Sequence, residues 1–376
     1  MRREALMKVG ILKEIKVQER RVAMTPSGVE EMIRHGHRVL VERDAGLGSG
    51  FADTDYRAAG AEIAASAATV YAACDMVMHV KDPQPSEYGM IRKGQILFTY
   101  FHLAPDPELT RAMLDRGAVC IAYETVRRKD GSLPLLTPMS EVAGRLSVLA
   151  GARYLEANFG GTGIFIGGVT GVAPAEVLVL GGGTVGYNAA LMACGLGAHV
   201  HVLDASLDRL RQLSSLLPAN AIPLMSAPDT VRRLAATADL VIGSVLIPGA
   251  RTPRLITRNM LRQMKKGAVI VDVAIDQGGC IESSRPTTFD DPVFVEQGII
   301  HYCVTNMPGA VPRTSTLALT NATLPYALAL ADKGWQKACR DDEALLAGLN
   351  IAEDHITHPA VAAAMNTEYR DPSTLL

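Results

Sequence analysis

Three glycines, Gly181, Gly183 and Gly186, stand in Gly-x-Gly-x-x-Gly spacing. Alone this spacing is a weak signal, and its context gives it meaning. The run Glu176-Val-Leu-Val-Leu180 before it is β-rich, and the apolar stretch after it, from Asn188 to Met192, opens a helix. In a strand–turn–helix unit the first glycine permits the tight turn. The second lets a pyrophosphate approach the backbone, and the third lets helix and strand pack closely. The helix N-terminus then offers free N–H groups and a positive dipole end to the phosphates. A second strand runs into Asp204, 23 residues beyond Gly181. A carboxylate there can accept hydrogen bonds from the adenosine ribose and repels a 2′-phosphate, which favours NAD over NADP. Arg209 and Arg211 follow closely and keep NADP open as the alternative.

Four further side chains follow strand-like runs and suit a small carboxylate substrate. Arg21 lies in the loop after the first run, Lys81 directly follows Val77-Met-His-Val80, and His102 follows Ile96-Leu-Phe-Thr-Tyr100. Asp276 follows Val269 to Val273. Arginine presents a planar fork to a carboxylate, and lysine is a movable charge that can hold the same group or polarise a carbonyl. Histidine exchanges a proton near neutral pH, and aspartate can orient water or steady a cation. Each also has a plain structural reading: surface charge for Arg21 and Lys81, a satisfied buried ring for His102, a turn cap for Asp276. Glu124 also ends a strand and reads as a supporting residue. Pattern alone thus supports an enzyme using a dinucleotide on a small anion, and goes no further.

The elements that must position these groups alternate between β-rich and helical runs. Val9–Leu12, Arg38–Val41, Met76–Val80, Ile96–Tyr100 and Val119–Tyr123 read as strands; so do Val177–Leu180, Val200–Leu203, Leu240–Ser244 and Val269–Val273. Thr25-Pro26 reads as an N-cap with proline at the first helical position, closed by Gly36. A long helix is expected from Ser140, as its N-cap, to Asn158, and another from Thr314 to Asp332, interrupted at Pro325. Alternating strands and helices imply parallel sheets covered on both faces. The expected fold is therefore α/β, with two doubly wound Rossmann-like domains. A substrate domain at 1–139 plus 309–376 holds an inserted NAD-binding domain at 140–308, with ligands at the carboxyl ends of the strands facing a cleft.

Composition sets limits. The chain has 376 residues, 48 % hydrophobic and 20 % charged, enough for two cores. Lys plus Arg is 37 against 39 Asp plus Glu, which gives no electrostatic reason to expect nucleic acid or an anionic membrane. The six cysteines show neither CxxC spacing nor a zinc-finger pattern, so reduced thiols in a cytoplasmic protein and no metal are expected. The segment from Met1 to Leu12 lacks an apolar signal core, and Met7 is an alternative start. Val177 to Leu203 carries no Asp, Glu, Lys or Arg over 27 residues, but its six glycines, an asparagine and two histidines fit a buried strand, loop and helix better than a membrane span.

Several blocks, in order along nearly the whole chain, resemble bacterial L-alanine dehydrogenases. They are Gly10 to Arg21 with Val-Ala-Met-Thr-Pro, Val80-Lys-Asp-Pro83, Phe101-His-Leu-Ala104 and Met139-Ser-Glu-Val-Ala-Gly-Arg145. They continue with Val271-Asp-Val-Ala-Ile-Asp-Gln-Gly-Gly279, Asn306-Met-Pro308 and Thr314-Ser-Thr316. The NAD-binding part of nicotinamide nucleotide transhydrogenase and the saccharopine dehydrogenases are more distant relatives. The resemblance implies reversible oxidative deamination of L-alanine to pyruvate and ammonium with NAD. Carried over, it makes Arg21 and Lys81 carboxylate ligands, His102 the general acid/base and Asp276 the aid to water addition. Tyr100 and Asn306 join the substrate-binding residues, Asn306 on the nicotinamide side. Ser140, Asp204, Arg209, Ser226, Val245, Leu246 and Met307 match cofactor-contacting positions beside the glycine turn. The family is also usually a homohexamer. Two other readings are weighed. A proton-translocating transhydrogenase fragment needs a membrane partner, and no span is seen. A non-catalytic NAD-binding protein would have little need of Arg21, Lys81, His102 and Asp276 together.

Overall fold

The computed structural model describes residues 6–245 and 252–376. Contacts divide the chain into two compact units: Met1–Met139 with Gly309–Leu376, and Ser140–Pro308. No described helix is long and apolar enough to cross a membrane.

In the first unit, β1 (Lys8–Ile11), β2 (Arg38–Glu42), β3 (Glu62–Ala64), β4 (Met76–Met78), β5 (Ile96–Thr99) and β6 (Val119–Ala122) run parallel. In the second, β7 (Glu176–Leu180), β8 (His199–Asp204), β9 (Ala221–Met225), β10 (Leu240–Gly243) and β11 (Val269–Asp272) do the same. β12 (Val293–Glu296) and β13 (Ile299–Tyr302) complete the second sheet; β14 (Leu349–Ala352) and β15 (His355–Ile356) complete the first. The orders are β15-β14-β6-β5-β4-β1-β2-β3 and β12-β13-β11-β10-β7-β8-β9. Both are doubly wound, and strand order reverses between β1 and β4 in one and between β7 and β10 in the other.

Each parallel sheet gains an antiparallel pairing at one edge. β12 pairs antiparallel with β13, and β14 pairs antiparallel with β6 and β15. Both edge hairpins turn through two residues with positive φ, Gln297-Gly298 and Glu353-Asp354. Positive φ at both central residues is what a type I′ turn requires, and its twist matches the flanking strands. Only one of these four residues is glycine. β9, also absent from the sequence expectation, carries Pro223, which an edge strand tolerates because one side of its backbone has no ladder partner.

Helix boundaries follow from local chemistry. The Thr25 side chain accepts from Gly28 N, Pro26 occupies the first turn, and Gly36 follows at φ +93°, as the pattern expects. Ser140 is not an N-cap. Its helix runs Thr137–Tyr154, begins three residues earlier, and ends before Asn158. Pro325 does not interrupt its helix either, which is continuous over Pro312–Lys333. Pro325 and Asn321 lie on the exposed side, where water can take the Asn321 carbonyl that loses its N–H partner.

Core burial explains the central strands. Val177, Leu178, Val179 and Leu180 of β7 are all buried, because the helix Thr184–Gly195 packs on one face and Pro228–Thr237 on the other. Each such side chain contributes about 1.5–3 kcal/mol by burial.

Candidate functional site

In the second unit, the glycine turn sits at the carboxyl end of β7. Gly181 has φ +95°, a conformation that costs a residue with a side chain. A Cβ on Gly186 would lie 1.8 Å from the Gly181 carbonyl oxygen, so only glycine allows the helix this close. A Cβ on Gly183 would meet no heavy atom within 4 Å, so its backbone borders open space. Gly183 caps the twelve-residue helix Thr184–Gly195 without a side-chain hydrogen bond to its first turn. Those N–H groups suit a phosphate.

Strand ends on both sides support this turn. Asp204, the last residue of β8, accepts from Gly182 N at 2.8 Å and Ser206 N at 2.8 Å. Arg209 donates from Nε to the Gly182 carbonyl at 2.6 Å. Ser244, after β10, donates its hydroxyl to the carbonyls of Leu180 and Gly181 and thereby ties the β7 and β10 ends together across the switch point. Ser226 follows β9 and donates its N–H to the Asp204 carbonyl, while half-buried Val245 follows Ser244. Leu246 lies outside the described residues. Asn306, at φ +56°, and buried Met307 follow β13. Half-buried Ser140 opens the second unit from within its helix.

Asp276 is exposed in the 3₁₀ turn Val273–Gln277 after β11. Sequence reasoning passed over its neighbour Asp272. This buried carboxylate accepts from Cys280 N at 3.0 Å and Ile281 N at 3.2 Å, which folds the chain back after Asp276. Burial raises the Asp272 pKa against these hydrogen bonds. An acidic residue at the end of an apolar strand, in Val-Ile-Val-Asp, was the available signal.

The first unit gathers its candidates at the ends of three neighbouring strands. Arg21, in the loop after β1, is 2 % exposed. Glu19 accepts from its Nε at 2.7 Å and its Nη2 at 2.6 Å, a two-pronged ion pair that fixes the guanidinium plane. Nη1 lies 3.0 Å from the Met139 sulfur. Burial pulls the Arg21 pKa down, but the Glu19 hydrogen bonds and charge outweigh it and leave it raised, so the group stays cationic.

Half-buried Lys81 follows β4. Glu14, after β1, accepts from Val80 N at 2.6 Å and Lys81 N at 3.3 Å, bridging the switch point of this sheet. Behind it, buried His79 stands 3.4 Å from Glu14 Oε1, an ion-pair distance without hydrogen-bond alignment. It is also 3.8 Å from Glu87 and 2.8 Å from the Tyr71 hydroxyl. Burial lowers the His79 pKa, but Glu14 and Glu87 outweigh that and raise it. Sequence reasoning missed Glu14, Glu19 and His79, because their roles depend on partners that only folding supplies.

Exposed His102 follows β5 at φ +55°, a backbone that non-glycine residues adopt rarely and at a cost. Glu124 after β6 holds it there, accepting from His102 N at 2.7 Å and Phe101 N at 3.1 Å. Tyr100 is buried and donates its hydroxyl to the Leu135 carbonyl at 2.5 Å; burial raises its pKa although Arg21 acts the other way. The six cysteines are buried, and burial raises their thiol pKa values, to about 11 for Cys194 and Cys303 and about 12 for Cys74 and Cys339. None of them is a ready nucleophile.

A glycine turn at one switch point and a buried, oriented cation beside the other mark an α/β protein of the dinucleotide-binding class, built of two units. The model for the alanine dehydrogenase/PNT N-terminal domain matches residues 10–143, and that for the C-terminal domain matches 147–359. The chain belongs to this family. It is 53 % identical over 370 residues to the alanine dehydrogenase of Halomonas elongata, covering 98 % of this chain and 100 % of that protein. It is 51 % identical to the alanine dehydrogenase of Mycolicibacterium smegmatis, with the same coverage. Among solved structures, an L-alanine dehydrogenase superposes with TM-score 0.93 at 49 % identity, over 96 % of this chain and 99 % of the other. A transhydrogenase from Sinorhizobium meliloti superposes with TM-score 0.80 at 27 % identity, over 94 % and 99 %.

Proposed function

We propose that the chain is an NAD-dependent L-alanine dehydrogenase. It converts L-alanine, NAD⁺ and water into pyruvate, ammonium, NADH and a proton, reversibly. The observation that carries this reading is identity above 50 % to alanine dehydrogenases along essentially the whole chain.

The unit Ser140–Pro308 binds the cofactor and the unit of Met1–Met139 with Gly309–Leu376 binds the substrate. Gly181, Gly183 and Gly186 with the first turn of Thr184–Gly195 hold the pyrophosphate. Asp204 and Arg209 hold the adenosine ribose, and Ser140, Ser226, Val245 and Met307 line the remainder. Bound there, NAD⁺ supplies the hydride acceptor. The Arg21 fork, oriented by Glu19, pairs with the alanine carboxylate, and Lys81 adds a second cation to the same anion. Tyr100 shapes the wall beside Arg21, and Asn306 is a further substrate-binding residue.

His102 accepts the proton from the alanine ammonium, so that the nitrogen lone pair can drive hydride loss from Cα and form the imine. Water then adds to the imine carbon. Asp276 orients that water and steadies the cation, and His102 moves the protons that let C–N cleavage release ammonia. The enzyme acts in the cytoplasm as a homohexamer. Light scattering of the purified protein tests the assembly.

The test of the reaction is alanine-dependent NADH formation by the purified chain, with NADP in parallel. Turnover should fall by about 10²–10⁴-fold in His102→Ala and also drop in Asp276→Asn. Near-wild-type rates in both variants would remove these roles, and absence of alanine turnover in the wild type would remove the function.

A further inference from the structure

Glu176, His199 and His201 form a cluster that the proposed reaction does not use. His199 and His201 occupy alternate positions of β8, so both rings project from the same face of the sheet. Glu176 opens β7 and is the register partner of His199. Both Glu176 oxygens lie 3.0 Å from His199 Nδ1, and Oε2 lies 3.7 Å from His201 Nδ1. One ligand atom from each residue falls within 4.8 Å of the other two. All three residues are half-buried, which leaves room for water.

We propose that Glu176, His199 and His201 form a structural site for a divalent transition-metal ion such as Zn²⁺, Co²⁺ or Ni²⁺. Two imidazoles and one carboxylate are a donor set for these ions rather than for Mg²⁺ or Ca²⁺, which prefer all-oxygen shells. With metal–ligand bonds of about 2.0–2.2 Å, tetrahedral donors sit roughly 3.4 Å apart. The present separations, at most 4.8 Å, close toward that spacing when an ion binds. An imidazole must be neutral to ligate.

The site sits at the amino ends of β7 and β8, whereas Gly181 and Asp204 stand at their carboxyl ends. The ion accordingly serves to pin two strands together and takes no part in catalysis. The pattern is hard to read in sequence because the third ligand lies 23 residues before the first histidine.

The experiment uses tag-free full-length chain titrated with Co²⁺, read by visible absorption and by the thermal midpoint. One Co²⁺ per chain should bind with a rise in midpoint, and Zn²⁺ should displace it. His199→Gln and His201→Gln should each weaken binding by about tenfold or more, since losing even the hydrogen-bond partner of a ligand costs that much. Their metal-free midpoints and alanine turnover report that they fold. A separate cluster of His35, His37 and Asp332 supplies the control. The proposal is overturned if sub-millimolar Co²⁺ gives no band and no shift. It is equally overturned if His201→Gln binds Co²⁺ with wild-type affinity or if the signal disappears in His37→Gln.

Discussion

Substituting alanine at two glycines of the cofactor turn separates its binding role from its packing role. Gly183 has φ −65° and ψ −163°, which alanine adopts freely, and its new Cβ would meet nothing within 4 Å. Gly183→Ala should therefore unfold in urea within about 1 kcal/mol of the wild type, since the shorter list of unfolded conformations slightly favours the folded state. The same methyl would occupy space that the pyrophosphate needs. Overpacking of that kind costs about 1–3 kcal/mol, or roughly 5- to 150-fold in affinity. Gly186→Ala is different, because its Cβ falls 1.8 Å from the Gly181 oxygen and 2.8 Å from the Ser244 hydroxyl. Relief needs the helix or the turn to move by roughly an ångström, so this variant should lose about 1–3 kcal/mol of stability as well as affinity. NADH fluorescence titration and urea unfolding of both variants make the comparison. If Gly183→Ala binds NADH like the wild type, the turn is not the pyrophosphate cradle and the cofactor assignment fails.

Two further outcomes follow from supporting carboxylates. Glu124→Gln keeps one acceptor oxygen but loses the charge that holds Phe101 N and His102 N, bonds of the charge-assisted kind. With about 1–1.5 kcal/mol of that hold lost, turnover should fall roughly tenfold while NADH affinity stays unchanged; an unchanged turnover would show that the His102 backbone needs no such restraint. His79 is raised above its ordinary pKa, so its stabilising protonation is complete below about pH 6.5 and is lost as pH rises through the folded value. The stability advantage of the wild type over His79→Gln should therefore shrink from pH 6 upward, as urea midpoints would show. A difference constant from pH 6 to 9 would mean that the His79 pKa is not raised in the folded chain.

Much of the architecture was readable because its causes are local. The strand–turn–helix unit at Gly181, the Thr25-Pro26 start and the Gly36 stop all depend on residues within a few positions of each other. The edges were less readable. Pro223 argues against a strand until one knows that β9 lies at an edge, and Glu353-Asp354 makes a hairpin turn at two positive φ values without the usual glycine or asparagine. Ser140 resembles a helix cap, yet the helix continues backward to Thr137, where the Thr137 hydroxyl donates to the Leu133 carbonyl. Pro325 resembles a break, but an exposed carbonyl costs little beside water.

By itself, the order of residues determined which types of group stand at strand ends: the glycine turn and Asp204 in one half, Arg21, Lys81 and His102 in the other. Hydrophobic periodicity and turn chemistry act over short stretches, so they are written into short stretches. Tertiary structure alone decided what holds those groups. Glu14 reaches Val80 across 66 residues, Glu124 reaches His102 across 22, and Asp239 meets Glu176 N across 63. A buried carboxylate is stabilised only by donors and cations that the completed fold brings to it. Until then its partner lies at no fixed distance along the chain, and no local pattern can name it.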